Sequence, residues 1–228
     1  MKFSPIAEKY AKIDLEGRKA LKKEDSVNKF EGFSENLKNR FGTVMIFNEE
    51  SKKLLKESLI DKIESISKET EIDFALTGRD FPVHSTLLEG LCDDEKTSKA
   101  VFEKIKGNIE LIEVINSLNN LEVEFKYLLI DKGNILLTCI NIPKEILIAR
   151  GAINKILEEN GLKPLQLNNI LHISIARMTN FPAIEQGQKF NEYKEKVVKL
   201  RHEISSNPIK LKISEVLAGS SFDFLTSQ

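Results

Sequence analysis

The sequence predicts an α+β fold built as two lobes that share one core. Two observations carry this. The pattern of strand, helix, strand bearing a histidine, then helix runs once through each half of the chain, a duplication of pattern and not of letters. And 228 residues with 41 % hydrophobic and 30 % charged side chains suffice for one large domain or two small lobes with a proper core. The period is too long for a solenoid. Strands mixed with helices at this spacing fit an α+β arrangement.

Each element has its own local signal. Residues 5–40 are Lys/Glu-rich with spaced apolar positions (Ile6, Tyr10, Ile13, Leu15, Leu21). They read as one or two helices outside the main core, with a break at Asp25-Ser26. Residues 1–41 are therefore expected to be an N-terminal helical extension, and 42–228 a bilobal domain. Residues 42–47 form a β-rich run bounded by Gly42 and polar residues, a strand. Helical spacing of Leu54, Leu55, Leu59, Ile60, Ile63 and Ile66 predicts a helix over 51–68. A short strand over 73–77, a turn at Gly78-Arg79-Asp80 and a strand over 83–88 come next, Pro82 being tolerated only at the strand's beginning. Periodic Val101, Ile105, Ile109, Ile112 and Ile115 predict one helix over 97–118. Strands over 123–130 and 134–142 flank the hairpin signal Asp131-Lys132-Gly133. Pro143 opens a helix that runs to about residue 160, with Gly161 as its stop. A strand over 169–177, a charged amphipathic helix over 188–205 and an alternating strand over 209–217 complete the chain.

Composition excludes several function classes. With 34 basic and 35 acidic residues the net charge is −1, so no global field draws the protein onto nucleic acid or a membrane. A nucleic-acid ligand must be held by a local site, which favours a nucleotide, an RNA end or a short oligonucleotide. Cys92 and Cys139 lie far apart with no CxxC pattern, which fits a reducing, cytoplasmic setting. No window reaches the length of a membrane span, and residues 1–10 lack the apolar segment of a secretory signal. No membrane partner is expected, and a monomer is.

The chemistry concentrates in two of the three histidines. His84 stands in Pro82-Val83-His84-Ser85-Thr86-Leu87-Leu88, and His172 in Ile170-Leu171-His172-Ile173-Ser174-Ile175-Ala176. Strand side chains alternate faces. His84 and Thr86 therefore share one face, as do His172 and Ser174, each strand offering an imidazole beside a hydroxyl. The competing reading is a pair of core histidines satisfied by nearby hydroxyls. The chemistry such a set performs is phosphodiester cleavage. One neutral histidine takes a proton from the attacking water and the other, protonated, donates to the leaving oxygen. The hydroxyls donate to the non-bridging oxygens where charge builds. None of these steps requires a metal or other cofactor, and the sequence contains no HExxH and no DxD.

The paired HxT/HxS pattern, 172 − 84 = 88 positions apart, resembles the two-histidine (2H) phosphoesterase superfamily, which includes RNA 2′,3′-cyclic phosphodiesterases once called 2′-5′ RNA ligases. The run Leu171 to Arg177 is similar to that family's second motif. The first motif is looser, because Ser85 stands where the family has an apolar residue. The resemblance spans about residues 42–217. It implies two pseudo-symmetric lobes, each an antiparallel sheet with flanking helices, around a central cleft. It also implies His84 and His172 as catalytic residues, Thr86 and Ser174 as phosphate-binding residues, and a metal-independent cyclic phosphodiesterase activity on RNA or a nucleotide. Ser85 is expected to face away from the cleft.

Further candidates are weaker. Arg177 and Arg79 would neutralise phosphate, but on a regular strand Arg177 points away from His172 unless a bulge re-aims it. Tyr127 and Phe47 are candidate platforms for a base. His202, beside Arg201 and Glu203, reads as a solvated surface histidine. Two other functions compete: hydrolysis of 2′-5′, 3′-5′ or cyclic oligonucleotides by the same residues, and a catalytically silent nucleotide- or RNA-binding module.

Overall fold

The computed structural model describes residues 5–21, 29–33, 38–159, 163–165, 170–180 and 187–220. Among the described residues, nine strands form two antiparallel sheets. The first sheet has the order β4-β9-β1-β3-β7, from β4 (Glu122–Phe125), β9 (Ile209–Ser220), β1 (Arg40–Phe47), β3 (His84–Leu91) and β7 (Lys163–Leu165). The second has the order β2-β8-β6-β5, from β2 (Phe74–Leu76), β8 (Leu171–Met178), β6 (Asn134–Cys139) and β5 (Tyr127–Asp131). Both are α+β lobes as the sequence predicts.

The lobes are not the two halves of the chain. β2, from the first half, pairs with β8 of the second, and β9 inserts beside β1. The run read as one strand over 123–130 divides at Lys126. Its first part pairs with β9, Phe125 opposite Ile209, and its second with β6, Tyr127 opposite Thr138. The Lys126 N–H donates to the Thr138 carbonyl at the crossing. Phe125 and Leu128 are both fully buried, so apolar content continues through the crossing and hides the change of sheet from a sequence reading. A strand that serves both sheets joins the lobes covalently through their shared core.

Helices cover the sheets. α2 (Glu49–Leu55) is capped by the Asn48 side chain, which accepts from the Ser51 N–H. It continues through a π-helical turn (Lys56–Ile60) into α3 (Asp61–Thr70). The single helix expected over 97–118 is two, α4 (Glu95–Gly107) and α5 (Ile109–Asn116). Asn108 is extended, at φ −93° and ψ 100°, and its side chain caps α5 at the Leu111 N–H. Glycine followed by a strong N-cap residue overrides the apolar periodicity there. α6 (Lys144–Glu159) and α7 (Gly187–Ser206) complete the set. The expected break at Asp25-Ser26 and stop at Gly161 lie outside the described residues. No helix among the described residues is long and apolar enough to cross a membrane.

α1 (Pro5–Ala20) docks on the second sheet through residues at helical spacing, Tyr10, Asp14 and Gly17. β5 is an edge strand whose outward polar groups need partners. Asp14 accepts from the Ile130 N–H at 3.2 Å, and Arg201 of α7 donates to the Leu128 carbonyl at 2.9 Å. Arg201 and the buried Asp14 form a two-pronged ion pair of 2.6 and 3.2 Å. A Cβ at position 17 would overlap the Ile130 carbonyl, so only glycine permits this approach. Tyr10 joins Leu129 and Leu136 in a small apolar cluster separate from the main core. The first strand opens at Arg40, two residues before the expected start of the bilobal domain.

Candidate active site

One motif strand comes from each sheet. On β3, His84 and Thr86 are half-exposed while Ser85 and Leu87 are fully buried, as alternation requires. On β8, His172 and Ser174 are half-exposed between buried Leu171, Ile173 and Ile175. The two histidines with their hydroxyl partners thus face away from the core on both strands. Neither the Thr86 nor the Ser174 hydroxyl is bonded to another described residue.

Both strands bulge at the same offset from the histidine. On β3 the register skips Leu87: Thr43 faces Leu88 and Val44 faces Thr86. On β8 it skips Ile175: Leu136 faces Ser174 and Ile135 faces Ala176. Each extra residue is matched by partners for the disrupted ladder. Thr43 Oγ1 bonds both the carbonyl and the N–H of Leu88, at 3.2 and 3.1 Å, Arg150 Nε donates to the Leu87 carbonyl at 2.7 Å, and the Thr77 N–H donates to the Ile175 carbonyl at 2.9 Å. A bulge reverses the facing of every residue after it on the strand. It brings Glu89 onto the face of His84 and Thr86, and Arg177 onto the face of His172 and Ser174. This is the re-aiming that Arg177 required.

The strands are fastened to each other at the histidines. Ser85 Oγ donates to the His172 carbonyl at 2.8 Å. The polar residue in the looser motif therefore faces inward, away from the cleft, and ties one lobe to the other. Arg150 of α6 adds a second clamp, with Nη2 donating to the Ile170 carbonyl at 2.6 Å and to the Thr86 carbonyl at 3.4 Å. Tyr10 steadies β8 within its own sheet: its hydroxyl takes the Leu171 N–H at 3.0 Å and donates to the Cys139 carbonyl of β6 at 3.1 Å. Neither Arg150 nor Tyr10 was legible as a site residue, since their partners are backbone groups remote in sequence.

The electrostatics distinguish the histidines. Burial pushes the His172 imidazole down to about 4, and the charges of His84, Arg177 and Arg150 press the same way. Burial also lowers His84, with Arg177 adding to it, but the Pro82 carbonyl opposes the shift. That carbonyl lies 2.9 Å from His84 Nδ1 and must accept a hydrogen, so Nδ1 is the protonated nitrogen and Nε2 is left free. Two imidazoles and two guanidiniums gather here, a setting that favours a negatively charged group.

A cavity of about 230 Å³ opens on the second sheet beside these groups, with His172, Ser174 and Arg177 on one wall and Tyr10 and Ile13 of α1 on another. Arg177 is held by rings: its guanidinium lies 5.4, 5.4 and 5.2 Å from the centroids of Phe30, Phe33 and Phe81. Its buried Nε has no partner among the described residues. A desolvated donor without an acceptor is costly, and a phosphate oxygen entering the cavity would supply the acceptor.

The remaining candidates lie elsewhere. The Arg79 guanidinium is engaged by Asp80 at 2.8 Å, the Phe74 carbonyl at 2.9 Å and Glu64 at 3.7 Å. It lines a separate cavity of about 350 Å³ with Phe81 and Pro82. Tyr127 is half-buried on β5 and is not among the residues lining either cavity. Phe47 is a core residue and not a platform: it is fully buried, edge-to-face with Phe125 at 5.9 Å. His202 is exposed on α7. Among the described residues no three His, Cys, Asp or Glu gather as a metal site.

No family model matches the sequence, and no curated protein matches it. Among solved structures the chain is similar to Usb1 of Kluyveromyces marxianus, at 12 % identity and a TM-score of 0.46 over 80 % of this chain and 94 % of that one. The same protein with uridine monophosphate gives 13 % identity and a TM-score of 0.46 over 81 % and 95 %. The MHV ns2 PDE domain gives 15 % identity and a TM-score of 0.41 over 61 % of this chain and 84 % of that one.

Proposed function

We propose that the protein is a two-histidine phosphodiesterase that opens a 2′,3′-cyclic phosphate at an RNA end or on a nucleotide, without a metal. One observation carries the reading: each sheet presents an imidazole, a hydroxyl and a bulge at the same offset, and Ser85 ties the two motif strands together at the histidines. His172, pushed down to about 4, is neutral at ordinary pH and takes the proton of the attacking water. His84, whose charged form the Pro82 carbonyl favours, gives a proton to the ribose oxygen as its bond to phosphorus breaks. The products are a phosphomonoester and a free ribose hydroxyl. Thr86, Ser174 and Arg177 hold the non-bridging oxygens, and the anion they bind raises the protonated fraction of both imidazoles.

The test is turnover of nucleoside 2′,3′-cyclic phosphates and of RNA ending in a cyclic phosphate, with and without EDTA. Hydrolysis to a single monoester, unchanged by the chelator, is expected. Loss of activity in EDTA that a divalent metal restores would overturn the mechanism. Nucleotide binding without turnover of any cyclic or linear phosphodiester would mean a silent binding module.

A further inference from the structure

The cavity beside His172 extends well past the groups the reaction uses. Going across the second sheet from β8, it passes Leu136 of β6 and reaches Leu129 and Asp131 of β5, with Asn134 at the hairpin. Strands are about 4.8 Å apart, so β5 lies roughly 10 Å from β8, about a ribose and a base beyond a phosphate held at Ser174. The pocket is smaller than the ~300–1,000 Å³ typical of sites for drug-sized ligands, and fits one flat ring system better than two nucleotides. Its walls are mostly apolar: Tyr10 and Ile13 of α1, Leu129, Leu136 and Ile170.

Two polar side chains break that apolar surface. Asp131 and Asn134 face each other as the last pair of the β5–β6 hairpin. Neither side chain is hydrogen-bonded to another described residue. Burial pushes the Asp131 carboxyl above the ordinary range despite the neighbouring Lys132, and the Glu16 carboxylate of α1 adds to the shift, as expected of a carboxylate that has lost water and gained no donor. Two adjacent N–H donors on a ligand would reverse that cost. Of the four RNA bases only guanine offers them on its Watson–Crick edge, from N1 and the exocyclic amine, with O6 alongside as an acceptor for the Asn134 amide. Adenine and cytosine place a ring acceptor against the carboxylate, and uracil flanks its one N–H with two carbonyls.

We infer that the pocket between α1 and the second sheet seats the substrate's base and that Asp131, with Asn134, selects guanine there. This rests on the hydrolase reading above for the placing of the phosphate. The N-terminal helix is then part of the binding site, with Ile13 closing the pocket over the base.

Two readouts on the full chain and on Asp131→Asn test this: kcat/KM for the four nucleoside 2′,3′-cyclic monophosphates, and calorimetric affinity for the four nucleoside 3′-monophosphates. Guanosine should lead in both by about tenfold, the scale of one hydrogen bond to a charged group. The lead should shrink to within about twofold in Asp131→Asn. Equal treatment of the four bases, or a guanosine preference that survives Asp131→Asn, overturns the inference. Ile13→Trp fills the pocket from α1 and should weaken every 3′-monophosphate; undiminished binding would also overturn it. Turnover without base preference leaves the hydrolase standing and removes the base pocket. No turnover, with an Asp131-dependent guanosine preference in binding, does the reverse.

Discussion

The two motif strands are the same device carrying different charges. β3 and β8 each carry histidine, a buried residue, a hydroxyl, a bulge and then a charged residue on the histidine's face. On β8 the last of these is Arg177, ringed by Phe30, Phe33 and Phe81 and left with an unpartnered Nε. On β3 it is Glu89, whose carboxylate lies 3.6 Å from Arg40. The residue between histidine and hydroxyl differs too, Ser85 on β3 and Ile173 on β8, both fully buried. Backbone symmetry therefore sets where groups sit, and side-chain asymmetry sets how each lobe is charged. Under the proposed mechanism this contrast would make β8 the phosphate side and β3 the side that returns the proton.

The histidines test this most severely. His84→Ala and His172→Ala should each lower kcat by roughly 10³-fold, the scale of a lost general acid or base, with unfolding midpoints little changed. Their pH profiles should differ. A base must be neutral, so kcat/KM rises with pH through the His172 value near 4. An acid must be protonated, so kcat/KM falls as pH rises through the His84 value, which lies below the ordinary one. His172→Ala should erase the acid limb and His84→Ala the alkaline limb. If the limbs are exchanged, the roles assigned to the two lobes are exchanged with them. The kcat profile should sit at higher pH than that of kcat/KM, because bound phosphate favours both imidazolium forms.

Next in size is the charged pair. Arg177→Ala should lower kcat/KM by roughly 10- to 100-fold, the cost of losing charge-assisted hydrogen bonds to a phosphate. Arg177→Lys should recover only part, since an ammonium cannot reproduce the fork. Glu89→Gln should change kcat/KM by less than about threefold, because a partly exposed pair with Arg40 is worth only about 0–1 kcal/mol. Equal losses at the two positions would erase the distinction between the lobes.

Much of this was legible in the sequence, for physical reasons. A period of two fixes which residues share a face, so His84 with Thr86 and His172 with Ser174 follow from spacing alone. The bulges left a trace, the apolar doublets Leu87-Leu88 and Ile175-Ala176 that interrupt alternation after each hydroxyl. Read as bulges, they would have placed Arg177 and Glu89 on the cleft side. The traffic of strands between sheets left none: Phe125 and Leu128 are equally buried on either side of the crossing at Lys126. Arg150 and Tyr10 were equally silent, since a side chain that binds a backbone carbonyl or N–H leaves no mark on its partner's identity. The spacing of Ile6, Tyr10, Ile13, Leu15 and Leu21 predicts a helix, but nothing in it marks Asp14 and Gly17 as the residues that meet β5.

A smaller effect on activity than that of Arg177→Ala should come from Ser85, the buried polar residue between His84 and Thr86. Ser85→Ala removes the donor to the His172 carbonyl and leaves that acceptor buried without this bond. The loss should be about 1–2 kcal/mol of stability, read as a lower midpoint in urea at unchanged slope. Because the lost bond holds the backbone of His172, kcat should also fall a few-fold while KM moves little. Ile173→Ala provides the matching cut on β8. It removes a fully buried side chain and should cost more stability, about 2–5 kcal/mol. It should do so with less effect on kcat per kcal/mol lost, since Ile173 packs the core and holds no catalytic backbone. If Ser85→Ala is as stable and as active as the parent, the serine is incidental and the side-chain tie between the motif strands falls to Arg150. If kcat falls with no loss of stability, the hydrogen bond positions His172 without supporting the fold.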